Sequence, residues 1–183
     1  MEAEQEITRE LTAKESLIWA GRPRQGIVFR SSDVLLIPFS LFWGGFAIYW
    51  EAGVLSSDSP LFFRLWGIPF VLVGFYLVAG RFFFESYQRG KTFYGLTSDR
   101  VIIVSGMSTR IVKSLNLRTL TDISVTERSD RSGTITFGQT GAIHSLLGNS
   151  SWPGAGQGVP CFDLIPNAKE VYEKIRSARN KGT

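Results

Sequence analysis

One cysteine (Cys161) and one histidine (His144) stand among 183 residues, and that scarcity removes whole classes of chemistry. A single thiol cannot form an internal disulfide, and it suits a reducing compartment. The two or more cysteines or histidines that a zinc site draws on are not available, so no metal is expected. The one nucleophile-and-base pair on offer, Cys161 with His144, joins an apolar stretch to a Gly/Ser-rich one, and a lone cysteine in an apolar stretch reads as small core filler. The carboxylates are scattered: Asp122, Glu127, Asp130 and Asp163 fall at turns or on polar strand positions. The run Gly154-Ala-Gly-Gln-Gly158 lacks the Lys-Ser/Thr of a phosphate loop and the strand–helix frame of a dinucleotide fingerprint. Asn149-Ser-Ser is a formal glycosylation triplet without meaning on a cytoplasmic side. These absences predict neither an enzyme nor a cofactor.

Charge is also missing from one long stretch. From Val34 to Gly80 the chain reads VLLIPFSLFWGGFAIYW, then EAGVLSSDSP, then LFFRLWGIPFVLVGFYLVAG. Two apolar blocks of that length match the hydrocarbon thickness of a bilayer as helices. The expectation is a transmembrane hairpin over residues 34–80, with spans at 34–50 and 61–80. A buried core hairpin of a soluble protein would show a polar face, and neither block has one. The 14 Phe and 5 Trp fit the same picture, with Trp43, Trp50, Trp66 and Tyr76 as interfacial anchors. Ser40 with Gly44, and Gly67 with Gly74, are small residues at helix-packing spacing. Pro38 and Pro69 are kinks that membrane helices tolerate. Arg64 is expected to reach back to the headgroups.

Basic residues set the topology. Arg22, Arg24 and Arg30 precede the first block, and Arg81, Arg89 and Lys91 follow the second, while the connecting loop carries Glu51 and Asp58. Basic flanks stay in the cytoplasm, so both termini are expected there, with a multi-pass chain in the inner membrane. The acidic start MEAEQEITREL is not a secretory signal.

Outside the hairpin the period of the pattern changes. Residues 1–33 form an N-terminal segment in which 1–15 is a solvated lead-in, a short helix or disordered, and 16–21 (SLIWAG) is a first strand. Ser31, Ser32 and Asp33 offer cap oxygens to the first span. The rest, 81–183, is expected to fold as a cytoplasmic domain. Residues 91–97, 100–105, 109–117, 121–127, 133–138 and 159–164 are short, β-branched and bounded by turn residues, an antiparallel meander. Ile123 with Val125, and Ile135 with Phe137, alternate with polar neighbours as strands with one wet face do. Residues 139–158 form a long Gly/Ser-rich loop in which Ile143, Leu146, Leu147 and Trp152 either cover the open end of the barrel, or dip into the membrane interface or dock a partner. A helix at 166–179 places Ala168, Val171, Tyr172, Ile175 and Ala178 on one apolar stripe.

About seven strands capped by a C-terminal helix, with a helical hairpin near the start, resembles the bacterial membrane-anchored pleckstrin-homology (PH)-like family. The residues that carry the likeness are E-S-L-I-W-A-G-R-P from Glu15 to Pro23, Y-G-L-T-S-D-R-V-I-I from Tyr94 to Ile103, T-I-T-F-G ending at Gly138, and I-P-N-A-K-E-V-Y from Ile165 to Tyr172. The resemblance implies an α+β chain with membrane helices: a two-helix hairpin and a PH-like antiparallel β-barrel or sandwich. It also implies a noncatalytic binding or scaffolding module.

Nine Lys/Arg face five Asp/Glu between Arg81 and Arg131, a surplus suited to an anionic leaflet. Such residues either hold the domain on the bilayer or build a headgroup pocket, for which Lys91, Arg100, Arg110 and Lys113 are the candidates. The expected partners are the lipid bilayer, anionic lipid headgroups, and a protein partner or further copies of the chain. Nucleic acid is not expected, because aromatics are not interleaved with the basic strands beyond Phe93 and Tyr94. The alternative function is a small subunit of an oligomeric transport or channel assembly, with Arg64 lining a path.

Overall fold

The alternating, β-branched segments form seven antiparallel strands among the described residues, which in this computed structural model are 2–30, 33–107, 109–138 and 159–181. β1 (Leu17–Gly21), β2 (Phe93–Thr97), β3 (Arg100–Ser105) and β4 (Ile111–Asn116) make one sheet in that order. β5 (Ile123–Glu127), β6 (Gly133–Phe137) and β7 (Cys161–Ile165) make a second. A 3₁₀ turn at Leu117–Thr119 separates β4 from β5, so among the described residues the expected barrel or sandwich is two sheets and no closed barrel. The chain divides into two compact units: one takes the residues up to Gly26 and again from Tyr87 onward, the other spans Ile27–Ser86.

In the first unit the two sheets share a core. Phe162 of β7 is fully buried and meets Trp19 of β1 at 5.5 Å, Tyr94 of β2 at 4.7 Å and Phe137 of β6 at 5.0 Å between ring centroids. Four rings from both sheets thereby interlock, in the tilted and edge-on arrangements that aromatic quadrupoles favour. The C-terminal helix, α5 below, adds Ala168, Val171, Ile175 and Ala178 to this core, the predicted stripe, with Tyr172 packed beside it. Cys161 is buried and forms no disulfide.

Sequence pattern also shows why β2 and β3 carry so little polarity: both are buried on both faces. Successive side chains on a strand point to opposite sides. Val101 and Ile103 thus enter the shared core, while Ile102 and Val104 enter a second, smaller core with Phe93 and Ile7. Ile7 belongs to α1 (Glu2–Thr8), the short helix that is one of the two expectations for the lead-in, though Ile7 itself is buried rather than solvated. It is fully buried over Gly95, where any Cβ would collide with the Ile7 methyl Cγ2. Glycine in the middle of β2 therefore marks a close approach rather than a weak point in the strand.

The second unit contains α2 (Asp33–Ser56), α3 (Leu61–Phe75), a π-helical turn (Tyr76–Gly80) and the start of α4 (Arg81–Gly90). Helical structure outruns both predicted spans. Glu51, Ala52 and Leu55 are good helix formers, and α2 continues through residues 51–56 (EAGVLS) to about 36 Å in length. At the other end helix persists from Leu61 to Gly90 through the π turn. Pro60 occupies the N-cap of α3, where a fixed φ costs nothing. The helices meet where side chains vanish: a Cβ on Gly74 would lie 2.9 Å from the Gly44 Cα. Most of their large apolar side chains are exposed, Val34, Leu35, Phe42 and Tyr49 by more than three quarters. After Phe162 and before α5 (Ala168–Lys181), Asn167 takes φ +50°, a conformation asparagine tolerates better than most residues. Ser31 and Ser32 lie outside the described residues; Asp33 Oδ2 accepts the Arg30 backbone N–H at 2.7 Å.

Candidate functional site

The Y-G-L-T-S-D-R block builds its own scaffold. The Tyr94 hydroxyl accepts the Asp163 backbone N–H at 3.1 Å and so links β2 to β7. Leu96 is fully buried. The Thr97 hydroxyl donates to the Arg100 carbonyl and accepts from the Asp99 and Arg100 N–H groups, at 3.0 to 3.2 Å. That side chain turns the corner between β2 and β3. Ser98 closes it from outside, donating its N–H to the Ser16 carbonyl at 3.0 Å.

The turn aims Arg100 at the N-terminal segment. Its Nε lies 2.8 Å from Glu15 Oε1, and its Nη2 donates to Glu15 Oε2 at 3.0 Å and to the Glu10 carbonyl at 2.8 Å; Nη1 reaches Ser114 Oγ at 3.2 Å. The two most distinctive sequence pieces, E-S-L-I-W-A-G-R-P and Y-G-L-T-S-D-R, are thus joined by a forked arginine–carboxylate contact. Burial pushes the Glu15 carboxyl up, but hydrogen bonds from Arg100 and Thr12 and the Arg100 charge outweigh it, and the net direction is below the ordinary value. Arg110 follows the same logic, with Nη2 at 3.2 Å from Glu6 and 2.8 Å from Glu10. Arg22 pairs with Glu2 at 2.8 Å. One acidic segment, residues 2–15, answers three arginines.

The four residues expected to form one basic pocket are not gathered into one. Arg100 shares the α1 side of the sheet with Ile102 and Val104. Lys113 pairs across strands with Ile103, whose side chain enters the opposite core, so Lys113 sits on the other face. Lys91 is exposed, just after α4. Among the arginines expected at the membrane interface, Arg24 meets Asp130, whose carboxyl is held below its usual range by Ser132 hydrogen bonds first and by Arg24 second. Arg30 lies 3.7 Å from Glu85 and Arg81 2.8 Å from Asp33, both pairs largely buried within the second unit. Arg64 folds back on the inter-helix loop, donating from Nη2 to the Ser57 carbonyl at 2.9 Å. Trp66 is more than half exposed, Trp43 is about one third exposed and faces Phe39 and Phe70, and Trp50 is half-buried beside Gly67.

Ile143, Leu146, Leu147, Trp152 and His144 lie outside the described residues. Among the described residues no three His, Cys, Asp or Glu side chains gather as a metal site would require. The N-terminal face is what sequence reasoning missed. The signal was present in the spacing: Ala3, Ile7 and Leu11 recur every four residues, and all three pack into the smaller core.

A four-stranded and a three-stranded antiparallel sheet over a common core, closed by a C-terminal helix, make up the described part of the first unit. The chain belongs to the bacterial PH domain family, whose sequence model matches residues 34–179, a range that includes both long apolar helices. No curated protein and no solved structure matches it. Membership supports a binding or scaffolding module in general terms.

Proposed function

We propose that the protein is a noncatalytic PH-like binding module held at the cytoplasmic face of the inner membrane by its helical hairpin, with both termini in the cytoplasm. The observation that carries this reading is the exposure of α2 and α3. α2 and the continuous helix Leu61–Gly90 that α3 begins are long and apolar enough to cross a bilayer, yet only 22% and 11% of their most apolar windows is buried. The core helix of a soluble protein would be mostly covered, and an exposed apolar surface of this extent needs another solvent. The arginines before α2 and after α3 fit positive-inside orientation.

Labelling tests it. In a Cys161→Ala background, Ser57→Cys marks the inter-helix loop and Asn180→Cys marks α5. Membrane-impermeant maleimide applied to intact spheroplasts should label the first and spare the second until lysis. Recovery of the protein in the soluble fraction, or labelling of the α5 cysteine from outside, would overturn the reading.

A further inference from the structure

We propose that the outer face of the β1–β4 sheet is a docking site for an acidic amphipathic helix of a partner protein, and that residues 2–15 occupy it in cis as a displaceable stand-in. The inference rests on the binding-module reading but not on its membrane anchor.

The floor is apolar, made by Phe93, Ile102 and Val104, and the missing side chain at Gly95 opens the notch that receives Ile7. The rim is cationic, made by Arg22, Arg100 and Arg110, and every one of them now holds a glutamate of the resident segment. Apolar floor, cationic rim and a notch for one aliphatic side chain read an acidic helix with a single hydrophobic stripe. Lipid headgroups have no use for the notch.

The resident is anchored by Ile7 and by the Glu15–Arg100 fork, and its remaining contacts are weak. α1 has seven residues, well under the roughly 12 to 15 at which a helix stands alone in water. Its ion pairs with Arg22 and Arg110 leave those arginine side chains 45% and 43% exposed, where salt screens them. It also underfills its seat. α1 rests on β1, β2 and β3. Val112 of β4, paired with Val104 on the same face, stays 41% exposed. A helix that also reached β4 would cover it.

The test uses the full chain in nanodiscs of neutral lipid. The probe is a fluorescein-labelled synthetic peptide copying residues 2–15, with a scrambled peptide as control and phosphatidylglycerol vesicles as a separate arm. Ile7→Ser should release the resident segment, raising amide exchange in residues 2–15 while β2 and β3 stay protected. The released chain should bind the peptide in trans about tenfold more tightly than the parent chain. Adding Arg110→Glu should reverse that gain, and raised salt should weaken binding. Glu6→Lys with Glu10→Lys releases the segment without touching the core and serves if Ile7→Ser unfolds. Exchange that rises through β2 and β3 together with residues 2–15 would make α1 an integral part of the core and overturn the inference. Equal binding of the scrambled peptide would do the same. A released chain that ignores the peptide but gains affinity for phosphatidylglycerol vesicles keeps the module reading and overturns the helix as its ligand; one that binds neither overturns both.

Discussion

Gly95 and Ile7 are a matched pair, and their coupling is measurable. A methyl at Gly95 would strike Ile7, so Gly95→Ala should cost about 1–3 kcal/mol as overpacking. In an Ile7→Ala background the same change should cost much less, because the obstructing methyl is gone; a double-mutant cycle by denaturant unfolding reads the difference. Glu15 offers a test in pH. Its folded-state value lies below its unfolded one, so the stability it contributes is complete above about pH 4.3 and is lost as pH falls toward the folded value. Glu15→Gln should lower the melting temperature at neutral pH and leave a shallower decline below about pH 4.3, measured by Trp fluorescence. Residue roles were the least legible part of the sequence. Arg100 reads as a ligand contact because it belongs to a stretch, Arg81 to Arg131, with nine Lys/Arg against five Asp/Glu. Its partner, Glu15, lies 85 positions away, and only the β1–β2 pairing brings them together. Charge counts along a chain do not say which charges are already answered.

Elements were legible to the extent that their period was local. β3 starts and stops where its β-branched run does, Arg100 to Ser105, and the stripe of α5 is the predicted one. Alternation in β5 and β6 gave their inward residues, with Ile135 and Phe137 buried as expected. In residues 2–15 five glutamates outweigh the three apolar residues at spacing four, so the pattern leaves a short helix and disorder both open and does not announce a buried face. The ends of α2 and α3 escaped because hydropathy marks where lipid suits a chain, not where a helix ends; EAGVLS is polar enough to leave the apolar block yet stays helical. The contact between those helices is a two-glycine crossing, and small residues there are what permit backbone approach. Gly74→Leu should force α2 and α3 apart and lower the unfolding free energy in detergent by about 1–3 kcal/mol, whereas the same change at Gly45, which faces open space, should be nearly silent. Equal effects at the two positions would show that the crossing is not where the helices hold each other.

Across the whole molecule, the two sheets and their helix were legible as an order of strands, while the pairing of the first strand was not, since nothing in SLIWAG names its partner. In the structure Trp19 lies opposite Leu96 and Gly21 opposite Tyr94, so two apolar helices are inserted into what is elsewhere a simple hairpin connection. That insertion orders events in time. During synthesis β1 leaves the ribosome with no strand to pair with until β2 has followed, some 75 residues later, or roughly 4 to 15 s at ordinary elongation rates. Through that interval an apolar pentapeptide carrying Trp19 has its edge unsatisfied, which is when aggregation is most dangerous. The sheet can close only after the chain between has been made, so a complete β1–β2 ladder is a record that α2 and α3 were synthesised intact, and a chain arrested between them would present an orphan strand to the cell's proteases.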